Sequence, residues 1–349
     1  MFERMREHRV ERVVLWRDEA SGLEAILVID DVTLGPAAGG VRTRAYPSVD
    51  AALADAARLA QAMTIKCALG GVDAGGGKCV VIDRPGLDRA RAFAVLGERI
   101  AELGGLFRTA GDLGTTAADL AAMASRCRWV HTEEQALAAS VARGLVRCVE
   151  ACVAARGGGG GGGGGRGSGA LAGLRVAVQG AGAIGAAAAR ALVAAGAEVV
   201  VADVDDGRAR AVADETGARV GAPATILAEA VDVVAPCAIG GVLDEAAVAA
   251  MRAWAVCGAA NNVVASPAAE DAAVARGLLV VPDVIASAGA VIDGIGLTVM
   301  GLADRGPLID ALGATAAEVL AAARTSRERP SDVAVRLARA RLAAARTGG

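Results

Sequence analysis

The sequence predicts an α/β protein of two domains, the second built on a doubly wound parallel sheet. Three observations lead there. From Leu174 onward, short apolar runs (LRVAVQG, AEVVVADV, VDVVAPC, WAVCGAA, LLVVPDV) alternate with Ala-rich stretches of helical length, the pattern of buried parallel strands joined by crossover helices. Nine consecutive glycines at 157–165, then Arg166-Gly167-Ser168-Gly169, separate this half from the preceding one. Such a composition makes a flexible surface connection, not a packed element. The 349 residues, 54% of them apolar, are enough for two cores. The expected division is a first domain over 1–135, a second over 140–319, a flexible loop over 156–169, and C-terminal helices over about 320–349 packing back on the first domain.

Residues 12–34 alternate and are β-branched, with Ser21-Gly22 at a bend, which predicts a hairpin. Ser48 is a suitable N-cap for a helix over 48–63, where Ala and Leu recur at helical spacing. The stretch TIKCALGGVDAGGGKCVVI reads as a strand, a glycine loop and a second strand, followed by helices over 86–104 and 116–125. The tail from Ile309 to Arg346 is helical by composition and breaks at Pro330.

Several classes of protein are excluded. The N-terminus MFERMREHRVERVVLWRDE is densely charged and lacks the apolar core of a signal peptide. Apolar stretches are interrupted by Gly, Arg, Glu or Asp before 18 residues, so no membrane span is expected. The net charge of −3 offers no footprint for nucleic acid or anionic lipid. Cys67, Cys79, Cys127, Cys148, Cys152, Cys237 and Cys257 contain no CxxC pair, and the two histidines are His8 and His131. No metal site is expected, and scattered thiols of odd number fit a reducing cytoplasm.

The first strand of the second half runs into Gly180-Ala181-Gly182-Ala183-Ile184-Gly185, a GxGxxG at a strand-to-helix turn. The first glycine permits the tight turn, the second lets backbone approach a pyrophosphate, and the third lets helix and strand pack closely. In an Ala/Gly-rich chain such a motif needs context. Asp203, at the end of the next strand, supplies it, because a carboxylate there binds both ribose hydroxyls and repels a 2′-phosphate. The expectation is a Rossmann domain that binds NAD; Arg208 lies nearby and is the residue that would instead favour NADP.

Of the 36 Lys plus Arg, two are lysine: Lys66 and Lys78. Wherever a cation merely solvates the surface, this chain uses Arg. Arginine stays protonated, whereas a desolvated lysine beside another cation can titrate near neutrality and act as a base. Read at the two ends of one glycine loop, the lysines form such a pair, one binding an anion and the other cycling a proton. The two asparagines are adjacent, Asn261-Asn262, directly after WAVCGAA. They fall at the carboxyl edge of the sheet, where ligands bind in such folds, with a capping role as the alternative.

These residues sit in motifs that resemble the Glu/Leu/Phe/Val dehydrogenases: GPAAGGVR (35–42), MTIKCALGGVDAGGGK (63–78), GDLGTT (111–116), VQGAGAIG (178–185), APCAIGGVL (235–243), GAANN (258–262) and PDVIASAGAVI (282–292). The likeness to phenylalanine and leucine dehydrogenases is greatest. It implies an N-terminal substrate domain, a Rossmann domain with a cleft between them, and NAD-dependent, reversible oxidative deamination of an apolar L-amino acid to the 2-oxo acid and ammonia. It also implies a homo-oligomer. By motif, Lys78 would be the general base that activates water and Asp112 would handle the proton on the substrate nitrogen; taken alone, Asp112 reads equally well as a loop-turn aspartate. Lys66, Gly39, Gly40, Met63, Asn262 and Val291 would hold substrate, with Lys66 on its carboxylate. Thr116, Gly180, Gly182, Ala183, Ile184, Gly185, Asp203, Cys237, Ala238 and Asn261 would hold the cofactor. In glutamate-specific relatives a lysine matches Ala38; alanine here, with Gly294 at a second matching position, implies an apolar, roomy pocket.

The chain departs from the family pattern in three places. The connection 129–144 is short, with Ser140 or Val141 where a cofactor-contacting threonine is expected; Ser287 replaces an asparagine; and Ala290 replaces a glycine. They keep two other functions open: a specialised biosynthetic dehydrogenase forming an imine or oxo acid, and a non-enzymatic NAD-binding regulator.

Overall fold

The computed structural model describes residues 1–132, 137–157 and 171–347. The first half contains α1 (Phe2–Glu7), β1 (Arg12–Asp18), β2 (Leu23–Asp31), β3 (Ala37–Ala38), β4 (Val41–Arg44), α2 (Val49–Gly70), β5 (Gly75–Ile82), α3 (Arg89–Ala101), β6 (Phe107–Arg108) and α4 (Ala117–Ala124). The second contains α5 (Leu137–Arg156), β7 (Arg175–Gln179), α6 (Ala183–Ala194), β8 (Glu198–Ala202), α7 (Asp206–Thr216), β9 (Arg219–Val220), β10 (Val233–Pro236), α8 (Glu245–Ala250), β11 (Ala255–Val256), α9 (Pro267–Ala275), β12 (Leu279–Val280), α10 (Asp283–Ala286), α11 (Gly289–Thr298), α12 (Gly306–Asp310), α13 (Leu312–Ser326) and α14 (Pro330–Thr347). Contacts group residues 1–134, 294–302 and 338–349 into one compact unit and 135–293 with 303–337 into another. Most of the glycine run, 158–165, lies outside the described residues, as do 166–170 and 133–136 within the short connection.

In the first unit the sheet runs β1-β2-β5-β3-β6, with β4 also paired to β5. β1 and β2 form the expected hairpin with Asp18 opposite Leu23. Its bend is fixed by Gly22 at φ 71° and by the Ser21 hydroxyl donating to Asp18 Oδ2 at 2.6 Å. Alternate residues of β2 and β5 enter opposite cores. Ile26, Val28 and Val80 pack with Leu53, Ala56 and Ala60 of α2, while Leu27, Ile29, Cys79 and Val81 pack with Phe93, Leu96, Ile100 and Phe107. Lys78, two residues before Val80, therefore lies on the α2 side.

Helix α2 starts where expected, at an N-cap Ser48 that accepts from Ala51 N, but it does not stop at 63. It continues through Lys66 and ends at Gly71, left-handed at φ 67°, whose N–H reaches Cys67 O. The expected strand over 64–69 is thus two further helical turns. Their β-branched residues pointed to a strand, but tertiary contact decides here. The Thr64 hydroxyl bonds Asp30 Oδ2 at 2.6 Å and the Ala60 carbonyl at 3.3 Å, and Gly76 of β5 lets the helix lie on the strand. A Cβ at Gly76 would stand 2.2 Å from Thr64 Oγ1 and 2.4 Å from the Ala60 oxygen. The two lysines consequently do not end one loop: Lys66 is on the helix and Lys78 is inside β5.

The second unit holds a six-stranded parallel sheet in the order β12-β11-β10-β7-β8-β9, the doubly wound arrangement expected. The edge strand β9 was not anticipated; it has two exposed residues and no periodicity to read. Contrary to the expectation that no stretch is long enough, Gly306–Ser326 has the length and composition to cross a membrane, with a mean hydropathy of 1.3. Here it folds as α12 and α13, which pack on α5 and bury Leu312, Val319 and Leu320, as a core helix of a globular domain does. The helical tail breaks at Arg327, which is left-handed, just before Pro330. All seven cysteines are free thiols.

The close approach of α2 to β5 makes a testable demand. Gly76→Ala has no low-cost rotamer, since the clash is with backbone and a short hydroxyl, and it should destabilise the protein by about 1–3 kcal/mol. Chemical denaturation monitored by circular dichroism checks this; unchanged stability would mean that the helix does not rest on the strand at this point.

Candidate active site

Within the first unit, the described structure builds a charged cluster on the α2 side of β5. Lys78 is 5% exposed, and its Nζ lies 2.7 Å from Asp112 Oδ2. The same oxygen accepts from Arg42 Nε on β4 at 2.8 Å. Arg42 Nη1 reaches Asp55 Oδ2 on α2 at 3.2 Å. Asp55 in turn accepts from the Tyr46 hydroxyl at 2.9 Å and from Arg58 at 2.7 Å. A buried ammonium is tolerated only when paired, and this one belongs to a chain of alternating charges.

Backbone crowds round the cluster. A Cβ at Gly39 would stand 1.7 Å from the Gly77 oxygen, and one at Gly40 would stand 2.7 Å from the Gly111 oxygen and 3.0 Å from Asp112 Cβ. Gly39 and Gly40 therefore bring main chain directly against the strand and loop that carry Lys78 and Asp112. Met63 and Lys66, three residues apart on α2, share a helix face and are both partly buried.

The electrostatics follow from this packing. Burial holds the Lys78 amine below its ordinary 10.5; Asp112 opposes the shift and Arg42 adds to it. Burial would raise the Asp112 carboxyl, but Lys78, Arg42 and the Leu113 N–H outweigh it and hold the group at about 2. Arg42 is a cation that acts on Lys78, a part that the sequence suggests for Lys66. Arg42, Asp55 and Tyr46 were absent from that reading. The one available signal was the position of Arg42 directly after Gly39-Gly40-Val41.

Thr116, expected at the cofactor, has a local structural role. It is the N-cap of α4 in a capping box, its hydroxyl and N–H both donating to Asp119 Oδ2 at 2.8 and 2.7 Å.

In the second unit, Gly180 (φ 101°) turns the chain from β7 into α6, and a Cβ there would meet that of Ala238 at 2.7 Å. Gly185 packs against the Gly180 carbonyl, 1.9 Å from an added Cβ, whereas a Cβ at Gly182 would meet nothing within 4 Å. The outer glycines thus serve the turn and the helix packing. The middle one leaves the helix N-terminus, with Ala183 and Ile184 in its first turn, open to a phosphate. Asp203 directly follows β8; its Oδ2 accepts from Ala181 N at 2.6 Å and its Oδ1 from Asp205 N at 2.9 Å. These N–H groups keep the carboxyl below its ordinary value, and Arg208 is drawn to Asp205 at 3.4 Å. These residues fit a dinucleotide. Cys237 N bonds the Gln179 carbonyl at the neighbouring strand end.

Asn262 is left-handed at φ 54°, fixed by its N–H on Asp283 Oδ2 at 2.9 Å and its carbonyl on Gly241 N. It and Asn261 are exposed, while Val291 on α11 is partly buried. Ser287 is buried and its hydroxyl turns back to the Asp283 carbonyl at 2.6 Å. Ser140 and Val141 lie in the first turns of α5, the valine buried, and Gly289 packs on the Ser140 carbonyl. Among the described residues no group of three or more His, Cys, Asp or Glu side chains is placed to hold a metal ion.

Residues 6–129 match the model of the Glu/Leu/Phe/Val dehydrogenase dimerisation domain, and residues 206–294 match the Glutamate/Leucine/Phenylalanine/Valine dehydrogenase model. The valine dehydrogenase of Streptomyces virginiae is 36% identical over 286 residues, covering 81% of this chain and 79% of that protein. The chain belongs to the Glu/Leu/Phe/Val dehydrogenase family. It is thus an amino-acid dehydrogenase, of a family that uses NAD or NADP. The leucine dehydrogenase of Bacillus subtilis is 34% identical, over 84% of this chain and 80% of its own length. The phenylalanine dehydrogenase of Lysinibacillus sphaericus is 31% identical, over 84% and 77%. Among solved structures, L-tryptophan dehydrogenase from Nostoc punctiforme superposes with a TM-score of 0.86 at 29% identity, over 99% of this chain and 100% of that one.

The acidic position of Asp112 has a measurable consequence in this dehydrogenase. A carboxyl held at about 2 against an ordinary 3.8 contributes stability that is complete above the ordinary value and is lost as pH falls through the lower one. Lys78 acts in the opposite sense: its lowered pKa is a penalty at low pH that is relieved as pH rises toward 10.5. Between pH 5 and 3 the wild type should therefore lose about 1 kcal/mol more stability than Asp112→Asn. Urea unfolding across that range reads the difference; parallel curves for the two proteins would show that Asp112 titrates normally.

Proposed function

We propose that this amino-acid dehydrogenase oxidatively deaminates a large apolar L-amino acid, of the phenylalanine or leucine kind, with NAD. The observation that carries the reading is the buried Lys78–Asp112 pair, 2.7 Å apart, beneath glycine backbone that no side chain could replace. NAD, when bound, supplies the acceptor for the hydride leaving Cα. It would be held by Gly180, Gly182, Ala183, Ile184 and Gly185 at its phosphates and by Asp203 at its ribose, with Cys237, Ala238 and Asn261 at its other contacts.

The chain's own groups then perform the proton work. Within the first unit, Lys66 takes the substrate carboxylate, and Gly39, Gly40 and Met63 surround the rest. The substrate ammonium gives up a proton to solvent, and loss of hydride from the neutral amine leaves an iminium cation. Lys78 in its neutral form removes a proton from water as the oxygen attacks that carbon. Asp112, ionised at rest and 2.7 Å from Lys78 Nζ, relays to the nitrogen the proton that Lys78 took from water, and the carbinolamine collapses to the 2-oxo acid and ammonia, which leaves as ammonium. Burial, by lowering the affinity of Lys78 for its proton, is what fits it to this role. Ala38, fully buried on β3, supplies no charge for a second carboxylate, and an unpaired buried carboxylate is costly. The valine, leucine, phenylalanine and tryptophan specificities named for the relatives support an apolar substrate. A homo-oligomer goes with this reading.

The test is a spectrophotometric panel of L-amino acids with NAD and NADP at alkaline pH. Phe, Leu, Met and Trp should exceed Val and Ala, with Glu negligible. Lys78→Arg keeps the charge but not the basicity and should lose about 100-fold or more in kcat, with NAD affinity intact. A preference for glutamate, or a Lys78→Arg enzyme near the wild-type rate, overturns the reading.

Asp203 is expected to set cofactor choice. Wild type should favour NAD, and Asp203→Ala should narrow the ratio of kcat/KM for NAD over NADP by relieving repulsion of the 2′-phosphate. A wild type that works better with NADP would give control of the ribose site to Arg208.

A further inference from the structure

We propose that Arg42 is a positioning residue for this reaction: anchored by Asp55, it holds Asp112 against Lys78 and lays a permanent positive charge beside the amine. The inference deepens the reading of Lys78 and Asp112 given above and rests on it for its catalytic meaning, while its geometry stands without it.

Three observations carry it. Arg42 Nε and Lys78 Nζ bond the same oxygen, Asp112 Oδ2, at 2.8 and 2.7 Å, so the two cations lie within two hydrogen-bond lengths of one another. The guanidinium is itself fixed at its far side: Nη1 reaches Asp55 Oδ2 at 3.2 Å, and that oxygen also takes the Tyr46 hydroxyl at 2.9 Å. Finally, the Arg42 and Asp55 side chains are only 13% and 14% exposed, so their charges are poorly screened.

A planar guanidinium suits this bridge, since its separate N–H groups can serve two carboxylates at once; a lysine ammonium is a single point on a flexible stem. The remaining charged groups nearby do not duplicate it. On α2, Arg58 pairs with the other oxygen of Asp55. On β2, Asp30 is taken by Thr64. The Cys79 thiol is pushed up to about 12 by burial and stays neutral. Removing the Arg42 charge takes away a group that lowers the Lys78 pKa and leaves Asp112 to Lys78 alone, and both changes bind the lysine proton more tightly.

The chain offers an unusually direct test, because it contains two lysines. In protein labelled with 13Cε-lysine, the ε-methylene spectrum has two signals, and Lys66→Arg assigns them. Titration of the intact protein then reads the Lys78 pKa with no substrate present. In Arg42→Gln that pKa should rise by about one unit, with Arg42→Lys in between. Asp55→Asn, which keeps the Arg42 charge but frees its anchor, should shift it less than Arg42→Gln does.

The pH profile of kcat/KM should move by the same amount. Below both pKa values a one-unit rise cuts the neutral fraction, and so the rate, about tenfold, while NAD affinity stays the same. A Lys78 signal that titrates identically in wild type and folded Arg42→Gln overturns the proposal while leaving the dehydrogenase reading intact. The expected shift in a protein that turns over no amino acid would overturn that reading and keep the electrostatic arrangement. Should Arg42→Gln fail to fold, Arg42→Lys and Asp55→Asn decide: no shift in either refutes the positioning role.

Discussion

A lysine inside a β-strand, within a core, is the constraint that organises the first unit. The ammonium of Lys78 must have partners, because an isolated buried charge costs far more than a domain's net stability. Asp112 supplies the direct partner, yet an isolated pair in a low-dielectric setting recovers its desolvation cost only when the remaining lone pairs are also satisfied. Arg42 satisfies Asp112, and Asp55, held by Tyr46 and Arg58, satisfies Arg42. Each partner comes from a different segment, so the position of one lysine fixes the mutual placement of β4, β5, α2 and the 111–116 loop.

Glycine makes that placement possible. Gly39, Gly40 and Gly76 each sit where an added Cβ would run into main chain or a short hydroxyl. At Gly76 the gain is the packing of α2, which carries Lys66 and Asp55. At Gly39 and Gly40 it is backbone brought up against the charged cluster itself. In the second unit glycine does two kinds of work within one motif. Gly180 and Gly185 are filled against by protein, whereas Gly182 is left open, so only the middle glycine is kept free for a ligand.

What the sequence revealed and what it hid have the same origin. The hairpin, the strands β7, β8, β10, β11 and β12, and the capped helices were legible because alternation and turn residues are local. The end of α2 was not, because Thr64 and Ile65 favour a strand locally while Gly76, twelve residues away, admits the helix. Lys66 and Lys78 stood out because the chain otherwise uses arginine, and Asp112 stood out only by its motif. The same bias concealed Arg42: in so arginine-rich a chain no single arginine attracts notice, and only its two carboxylate partners, 13 and 70 residues away, give it meaning. At Thr116 the motif suggests a cofactor contact, and the structure adds a local role, the N-cap of α4.

The charge balance of the cluster bears on when Lys78 gives up its proton. With Lys78 protonated, it and Arg42 face Asp112 and Asp55, so these four largely buried groups sum to zero, the Arg58 partner of Asp55 being half exposed and screened by solvent, and Asp112, held at about 2, stays ionised. Deprotonating Lys78 in the resting protein leaves one uncompensated negative charge in a site with little water. Under the proposed reaction, oxidation at Cα places an iminium cation beside Asp112. That cation restores neutrality once Lys78 is uncharged, and it repels the ammonium form. The base is therefore released by the electrophile it is to serve. Arg42, whose charge is permanent, sets the background against which this exchange of one cation for another takes place.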